Sequence, residues 1–351
     1  MNSHAPLEAS LDDLALLEVS GPDAATFLQG QLTQDIASSN PARAQLAGYC
    51  SPKGRLMASM IVWQGADPPS AFFILLKQDI AAAFAARLAK FVLRAKVSIK
   101  PLPARIDGVL LPMTEGALES LAMSDAGSAQ LVTYDDDQAS ELPTPPSGVF
   151  RPYDITRSNS GIWVAAPSGH PALQRWWRII PDASASASSI GANRSSQPLH
   201  SALSVPASCW QTQDIAAGLG WVVSATHELF IPQTLNLDLI GGLSFTKGCY
   251  PGQEVVARSH YRGTIKRRMA HGLIPAANQQ AEELPGSDIY DSTHPDAPCG
   301  RVINAVNVSG AGHILFEAAL TDLGQADFRL GAADGPAITL ESLPYDITAT
   351  A

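Results

Sequence analysis

Lys247-Gly248-Cys249-Tyr250-Pro251-Gly252-Gln253-Glu254 is the densest cluster of unusual residues in the chain. Gly248 and Gly252 permit backbone conformations that other residues resist, so the chain can turn sharply and bring its amides close to a ligand. Pro251 stiffens the same turn. Lys247 lies two residues before Cys249, and a nearby cation favours thiolate over thiol. These features point to an exposed turn with Cys249 as reactive thiol and Lys247 as its electrostatic aid. By itself, a cysteine near a lysine is more often a small buried hydrophobe.

Downstream, Val255-Val256-Ala257 starts a helix or strand leading away. A basic run follows, with Arg258, Arg262, Lys266, Arg267 and Arg268, and Tyr261 among them. Residues 247–268 hold six Lys or Arg (Lys247 and these five) against one Glu, Glu254. That excess stands within a chain of 351 residues whose formal net charge is −10. A run of this kind is either a solvated face or an anion-binding surface. An acidic protein is a poor general nucleic-acid binder, which needs a broad basic face.

The length suits two or three sub-domains, and 46% hydrophobic residues supply ample core. Cys50, Cys209, Cys249 and Cys299 lie far apart, with no Cys-x-x-Cys pair. This spacing fits neither a disulfide framework nor a zinc site, and the eight histidines show no metal-binding spacing. Met1 to Asp13 has no basic n-region or apolar h-region, and no apolar run reaches a membrane span. A reduced, cytoplasmic setting without membrane contact is the expectation, with no metal.

Residues 1–105 alternate strands and helices. Gly21-Pro22-Asp23 opens a helix whose face carries Phe27, Leu28, Leu32 and Ile36. A second helix is expected from Asp79, as N-cap, to Leu93, with Ile80, Phe84, Leu88 and Phe91 as its buried stripe. Strands are expected at Leu56–Trp63, Phe72–Leu76 and around Val97 and Ile99. The section 106–200 is less regular. Asp135 to Ser147 reads as a loop, and the Ser/Ala-rich tract at 181–204 reads as a flexible surface insertion. A return segment at 205–268 opens with a helix from Pro206 to Gly218. From 269 to 351, short apolar runs punctuated by Gly, Pro and Asp suggest a small β-barrel or sandwich.

Lys247 to Glu254 resembles the K-G-C-Y-x-G-Q-E stretch that marks the YgfZ family of folate-binding proteins. Leu11-Asp12-Asp13, Gln29-Gly30-Gln31-Leu32-Thr33 with Asp35, and Pro52-Lys53-Gly54 resemble it too. So do Phe230-Ile231-Pro232-Gln233, Asn236-Leu237, Arg262-Gly263 and Leu343-Pro344-Tyr345. The likeness is collinear and weakest in the middle. It implies an α+β fold like the glycine-cleavage T-protein: three sub-domains in a ring around a central folate-sized cavity, the last a β-barrel. It implies tetrahydrofolate or a related folate as cofactor. It also implies iron–sulfur enzymes or their assembly factors as partners, and through them a role in tRNA modification. Cys249 is the residue that the resemblance makes essential. Trp210, Tyr250, Gln253, Glu254, Arg258 and Arg262 become candidates for holding the folate, the arginines for its glutamate tail. Read alone, Trp210 is a core residue of the 206–217 helix.

Two departures matter. Aminomethyltransferases carry a catalytic carboxylate on an early strand, in a Gly-Gly-x-Ile-Asp-Asp-Leu type of stretch. Here Lys53 to Met60 takes that place, and no Asp or Glu lies between Asp35 and Asp67. Nothing there can polarise the folate nitrogen that accepts a one-carbon unit. Family members also carry a Trp after Leu-Asp-Asp, where this chain has Leu14, so weaker folate binding is expected. The leading expectation is a folate-binding accessory protein for iron–sulfur assembly or repair. A tetrahydrofolate-dependent aminomethyltransferase or demethylase is the alternative. Direct tRNA binding through Tyr250, Tyr261 and the basic run is disfavoured by the net charge.

Overall fold

The computed structural model describes residues 5–66, 71–114, 130–131, 144–158, 160–182, 199, 202–261, 265–275 and 284–348. The chain divides into two compact units, neither continuous in sequence. Unit 1 takes Met1–Leu28, Ile36–Gln45 and Met60–Trp210; unit 2 takes Gln29–Asp35, Leu46–Ser59 and Gln211–Ala351.

In unit 1, apolar strands read as nearly continuous buried runs. Strands β1 (Leu7–Ser10) and β2 (Leu14–Ser20) lead into a short helix, α1 (Ala24–Gln29). Strand β3 (Gln45–Cys50) follows and belongs to unit 2 from Leu46 on, while β4 (Leu56–Gln64) is shared, its second half entering unit 1. There it pairs antiparallel with β5 (Phe72–Lys77), from Met60 opposite Leu76 to Gln64 opposite Phe72. β5 pairs with β2, and β2 with the edge strand β6 (Ser98–Pro101). Helix α2 (Gln78–Ala89) presents Ile80, Ala81, Phe84 and Leu88 as its buried stripe, the 3–4 residue spacing of an amphipathic helix.

Both early helices are shorter than their periodicity predicts. α2 ends before Phe91, which is 44% exposed, and its N-cap is Lys77 with Asp79 inside the first turn. α1 stops at Gln29. Leu32 and Ile36 are buried as predicted, but from a loop and a one-turn 3-10 segment.

The second sheet of unit 1 has the order β8-β12-β1-β7-β11-β10-β9. Its further strands are β7 (Ala104–Pro112), β8 (Gln130–Leu131), β9 (Ile155–Ser158), β10 (Gly161–Ala166), β11 (Leu173–Pro181) and β12 (Leu203–Ser204). Among the described residues only β1–β12 pairs in parallel; β1–β7, β7–β11, β11–β10, β10–β9 and β12–β8 are antiparallel. Val109, Trp163, Trp176, Leu199 and Ala202 form its core. Buried charges tie β1 to this sheet: Glu8 Oε1 accepts from Arg178 at 3.1 Å and Arg105 at 3.3 Å, and Oε2 from the Leu199 amide. Beside them burial pushes the Asp107 carboxyl up to about 7.

Within the Ser/Ala-rich tract, residues 183–198 and 200–201 lie outside the described residues. Its far end is built in, with Leu199 and Ala202 in the core and Leu203–Ser204 in the sheet. Of the Asp135–Ser147 loop, residues 135–143 also lie outside them.

Unit 2 carries helices α3 (Ala207–Ala216, its first residues counted in unit 1) and α4 (Gln253–Tyr261). Gly218, with φ +64°, closes α3 as predicted. The C-terminal strands are β13 (Arg267–Ile274), β14 (Asp288–Asp291), β15 (Gly300–Val308), β16 (Ala311–Ala319), β17 (Phe328–Leu330) and β18 (Thr339–Glu341). Their order is β17-β14-β15-β16-β13-β18. A bridge between Arg329 and Ala337, with the Ile338 amide donating to Phe328 O, joins the two edges. The sheet therefore curls back on itself around Ile289, Val302, Ile314, Phe316 and Phe328. Among the described residues no helix is long and apolar enough to cross a membrane.

Candidate functional site

The 247–254 segment sits in unit 2 on two pieces of chain from far upstream. One is the 29–35 loop. Thr33 fixes it, donating through Oγ1 to Gly242 O at 2.7 Å and accepting the Gly48 amide at 2.7 Å. The carbonyls of Gln29, Leu32 and Gln34 converge on the Lys247 ammonium at 2.5, 2.6 and 3.1 Å. This explains the early end of α1, because carbonyls that would face helical amides face a lysine instead. Lys247 is 8% exposed, and burial lowers its pKa to about 8, partly opposed by Asp35. Its Nζ also lies 5.1 Å from the centre of the Tyr250 ring. The lysine thus anchors the segment. Its ammonium is held by neutral carbonyls, a different task from the thiol activation expected of it.

The second piece is the turn Ser51-Pro52-Lys53-Gly54-Arg55. The Gly54 amide donates to Ser51 O, and the Ser51 amide to Arg55 O, both at 2.8 Å. Gly252, with φ +80°, rests against this turn: a Cβ there would lie 2.4 Å from Ser51 O and 2.7 Å from Gly54 Cα. The Gly252 carbonyl then accepts the amides of Val255 and Val256, opening α4. Gln233 Nε2 donates to Val256 O at 2.7 Å and ties α4 to the 3-10 turn Pro232–Leu235.

Between these anchors the chain is presented outward. Cys249 is exposed, and a Cβ at Gly248 would meet nothing within 4 Å. Tyr250 turns inward and is 6% exposed, its phenol pKa raised by burial and by Cys50. Cys50 and Cys209 are buried and Cys299 is half-buried. Burial pushes the Cys50 thiol up to about 12.

Of the other predicted site residues, Gln253, Glu254 and Arg258 lie on α4, and Trp210 belongs to unit 1. Gln253 is half-buried at the start of α4, donating its amide to Tyr250 O. Glu254 and Arg258 form an exposed pair one helical turn apart, at 2.9 Å. Arg262 lies outside the described residues. Trp210 is 1% exposed in the core of unit 1. The Arg175 guanidinium lies over its ring at 4.0 Å, and a Cβ on Gly108 would come within 2.4 Å of it. Leu14 is buried in β2. Among the described residues no group of three or more His, Cys, Asp or Glu could hold a metal.

The basic run is likewise dispersed. Arg268 is 2% exposed and pairs with the buried Asp238 at 2.5 Å. Arg267 pairs with Glu317 at 3.1 Å. Sequence reasoning missed the aromatic stack at the end of α4, where Phe245 lies against His260 at 3.8 Å and Tyr261 meets both edge-on. On β4, in the stretch compared with the aminomethyltransferase carboxylate, Ser59 is buried, accepting the Val222 amide and donating to Gly220 O.

No family model matches the chain. It is 31% identical to the tRNA-modifying protein YgfZ of Edwardsiella ictaluri, over 97% of this chain and 93% of that one. It is 29% identical to the protein of the same name from Pectobacterium carotovorum subsp. carotovorum, over 98% and 93%. A solved structure, the glycine cleavage system aminomethyltransferase T of Bartonella henselae, superposes with a TM-score of 0.65. That match covers 99% of this chain and 88% of that one, at 15% identity. The fold is therefore of the T-protein type, with mixed α and β elements and a curled C-terminal sheet. Identity at this level along nearly the whole length means that the chain belongs to the YgfZ family.

Proposed function

We propose that this protein is a folate-binding accessory factor that supports the assembly or repair of iron–sulfur enzymes and, through them, tRNA modification. Cys249 is its reactive centre. The observation that carries this reading is the presentation of Cys249: an exposed thiol on a segment fixed on one side by buried Lys247 and on the other by Gly252. The name shared by the relatives supports the link to tRNA modification. One cysteine cannot hold a cluster alone, so any cluster at Cys249 would need further ligands from a partner or a second copy of the chain.

The folate part rests on the motif and on the T-protein fold. The rings nominated for it do not fit that task, because Trp210 and Tyr250 are enclosed and Leu14 offers no ring. The pteridine would therefore lie against other groups. The fold alone would also suit tetrahydrofolate-dependent aminomethyl transfer. Against this, β4 carries no carboxylate and Ser59 is engaged by the backbone.

The test is complementation of a deletion strain by Cys249→Ala. Modified tRNA nucleosides are followed by mass spectrometry, alongside iron–sulfur enzyme activity. The variant should accumulate normally and fail to restore either. Full restoration would overturn the reading. Calorimetric titration with tetrahydrofolate tests the cofactor separately, and no saturable binding at millimolar ligand would remove folate from it.

A further inference from the structure

Unit 2 carries a groove of about 340 Å³ beside α4 that the Cys249 segment does not use. Arg55, Lys266, Arg267, Glu317, Ile231 and Ile265 are among the residues that line it. They come from four separate stretches: the turn at 51–55, the 3-10 entry at 231, residues 265–267, and the facing strand β16. Three cations face one carboxylate, so the lining has a formal charge of 3 − 1 = +2, in a chain of net charge −10.

The charges are not equivalent. Arg267 is neutralised by Glu317 at 3.1 Å. Arg55 donates from one terminal nitrogen to the carbonyl of Leu229 at 2.6 Å, which fixes its guanidinium while leaving further N–H groups. Lys266 is exposed. Among the described residues no carboxylate pairs with Arg55 or Lys266. An anchored guanidinium and an exposed ammonium lining a concavity suit an oxyanion, the first by its planar fork and the second as a point charge. Ile231 and Ile265 add apolar surface for whatever body carries that anion.

We propose that this groove is a second ligand site, taking the oxyanion end, phosphate or carboxylate, of a small molecule. Its size lies near the lower end of small-ligand sites, about 300–1,000 Å³. A nucleic-acid backbone would need an extended basic face instead, and among the described residues of the basic run Arg258 pairs with Glu254 and Arg268 with Asp238.

Calorimetry at low ionic strength tests this with inorganic pyrophosphate and with tricarballylate, which separate phosphate from carboxylate. A short single-stranded RNA, followed by fluorescence anisotropy, is the third probe. At least one small anion should bind the wild type saturably. Lys266→Gln should weaken it about fivefold, the loss of one charge-assisted contact, with unchanged thermal unfolding. Arg55→Gln should weaken the same anion. The proposal fails if neither anion binds, if both variants bind as tightly as the wild type, or if only RNA shows the Lys266 dependence. No folate enters these titrations, so their outcome is independent of the function proposed above.

Discussion

Gly252 has a φ of +80° and backbone atoms of Ser51 and Gly54 where a side chain would stand, whereas Gly248 has open space. The two residues look alike in sequence and differ in what they do. Gly252→Ala must strain the backbone and displace the 51–55 turn, which should cost about 2 kcal/mol or more. Gly248→Ala should change stability by less than about 0.5 kcal/mol. Urea unfolding of the two variants checks this, and equal losses would contradict the geometry. If Gly248→Ala also impairs complementation, its glycine is needed for the close approach of a partner to Cys249. The sequence exposed the cluster of special residues, because glycine, proline and cysteine are conspicuous at any position. It did not show which glycine is structural, since that depends on a turn about 200 residues away.

The elements around the site show the same limit in another form. Phe27, Leu28, Leu32 and Ile36 keep helical spacing and all become buried, yet only the first two lie in α1. Burial was legible there; the helix was not, because Lys247 competes for the carbonyls of the loop. Replacing Lys247 with Met would remove the ammonium from Gln29, Leu32 and Gln34 O and leave buried acceptors without donors. The expected cost is about 3 kcal/mol, within the range for lost hydrogen bonds to a charged group. Denaturant titration measures it. An unchanged midpoint would mean that water replaces the lysine. The C-terminal strands were legible for the opposite reason: their apolar runs are short, local and bounded by turn residues, so little depends on distant chain. Trp210 was nominated for folate by the family resemblance, and its ring lies buried in unit 1, as its place in the 206–217 helix also suggested.

At the scale of the molecule, the curled sheet of unit 2 carries a pH dependence of its own. His271 on β13 is 7% exposed, with its ring 6.0 Å from that of His313 on β16. Burial, and then His313, lower its pKa to about 4, and burial lowers that of His313 as well. The unfolded chain titrates near pH 6.5, so the folded state keeps a neutral ring where the unfolded state gains a proton. Stability is complete above about pH 6.5 and falls as the pH drops towards 4. The His271 share of that loss is at most about 3–4 kcal/mol, from roughly 1.4 kcal/mol per pH unit over the fall from 6.5 to about 4. Urea midpoints at pH 7.5 and 4.5 should converge in His271→Phe relative to the wild type; parallel shifts would exclude this residue as the cause.

The seat of the Cys249 segment is assembled from 29–35 and 46–59 together with chain beyond 210, while most of what lies between belongs to the other unit. The carbonyls that hold Lys247 are separated from it by up to 218 residues. Severing the peptide backbone anywhere between 60 and 210 would leave each half with part of the seat and neither with all of it. No fragment that begins or ends within that span would therefore contain the whole site. Two inert halves brought together by fused dimerising tags would be needed to restore it, which makes recovered Cys249-dependent complementation a direct reporter of their reassociation.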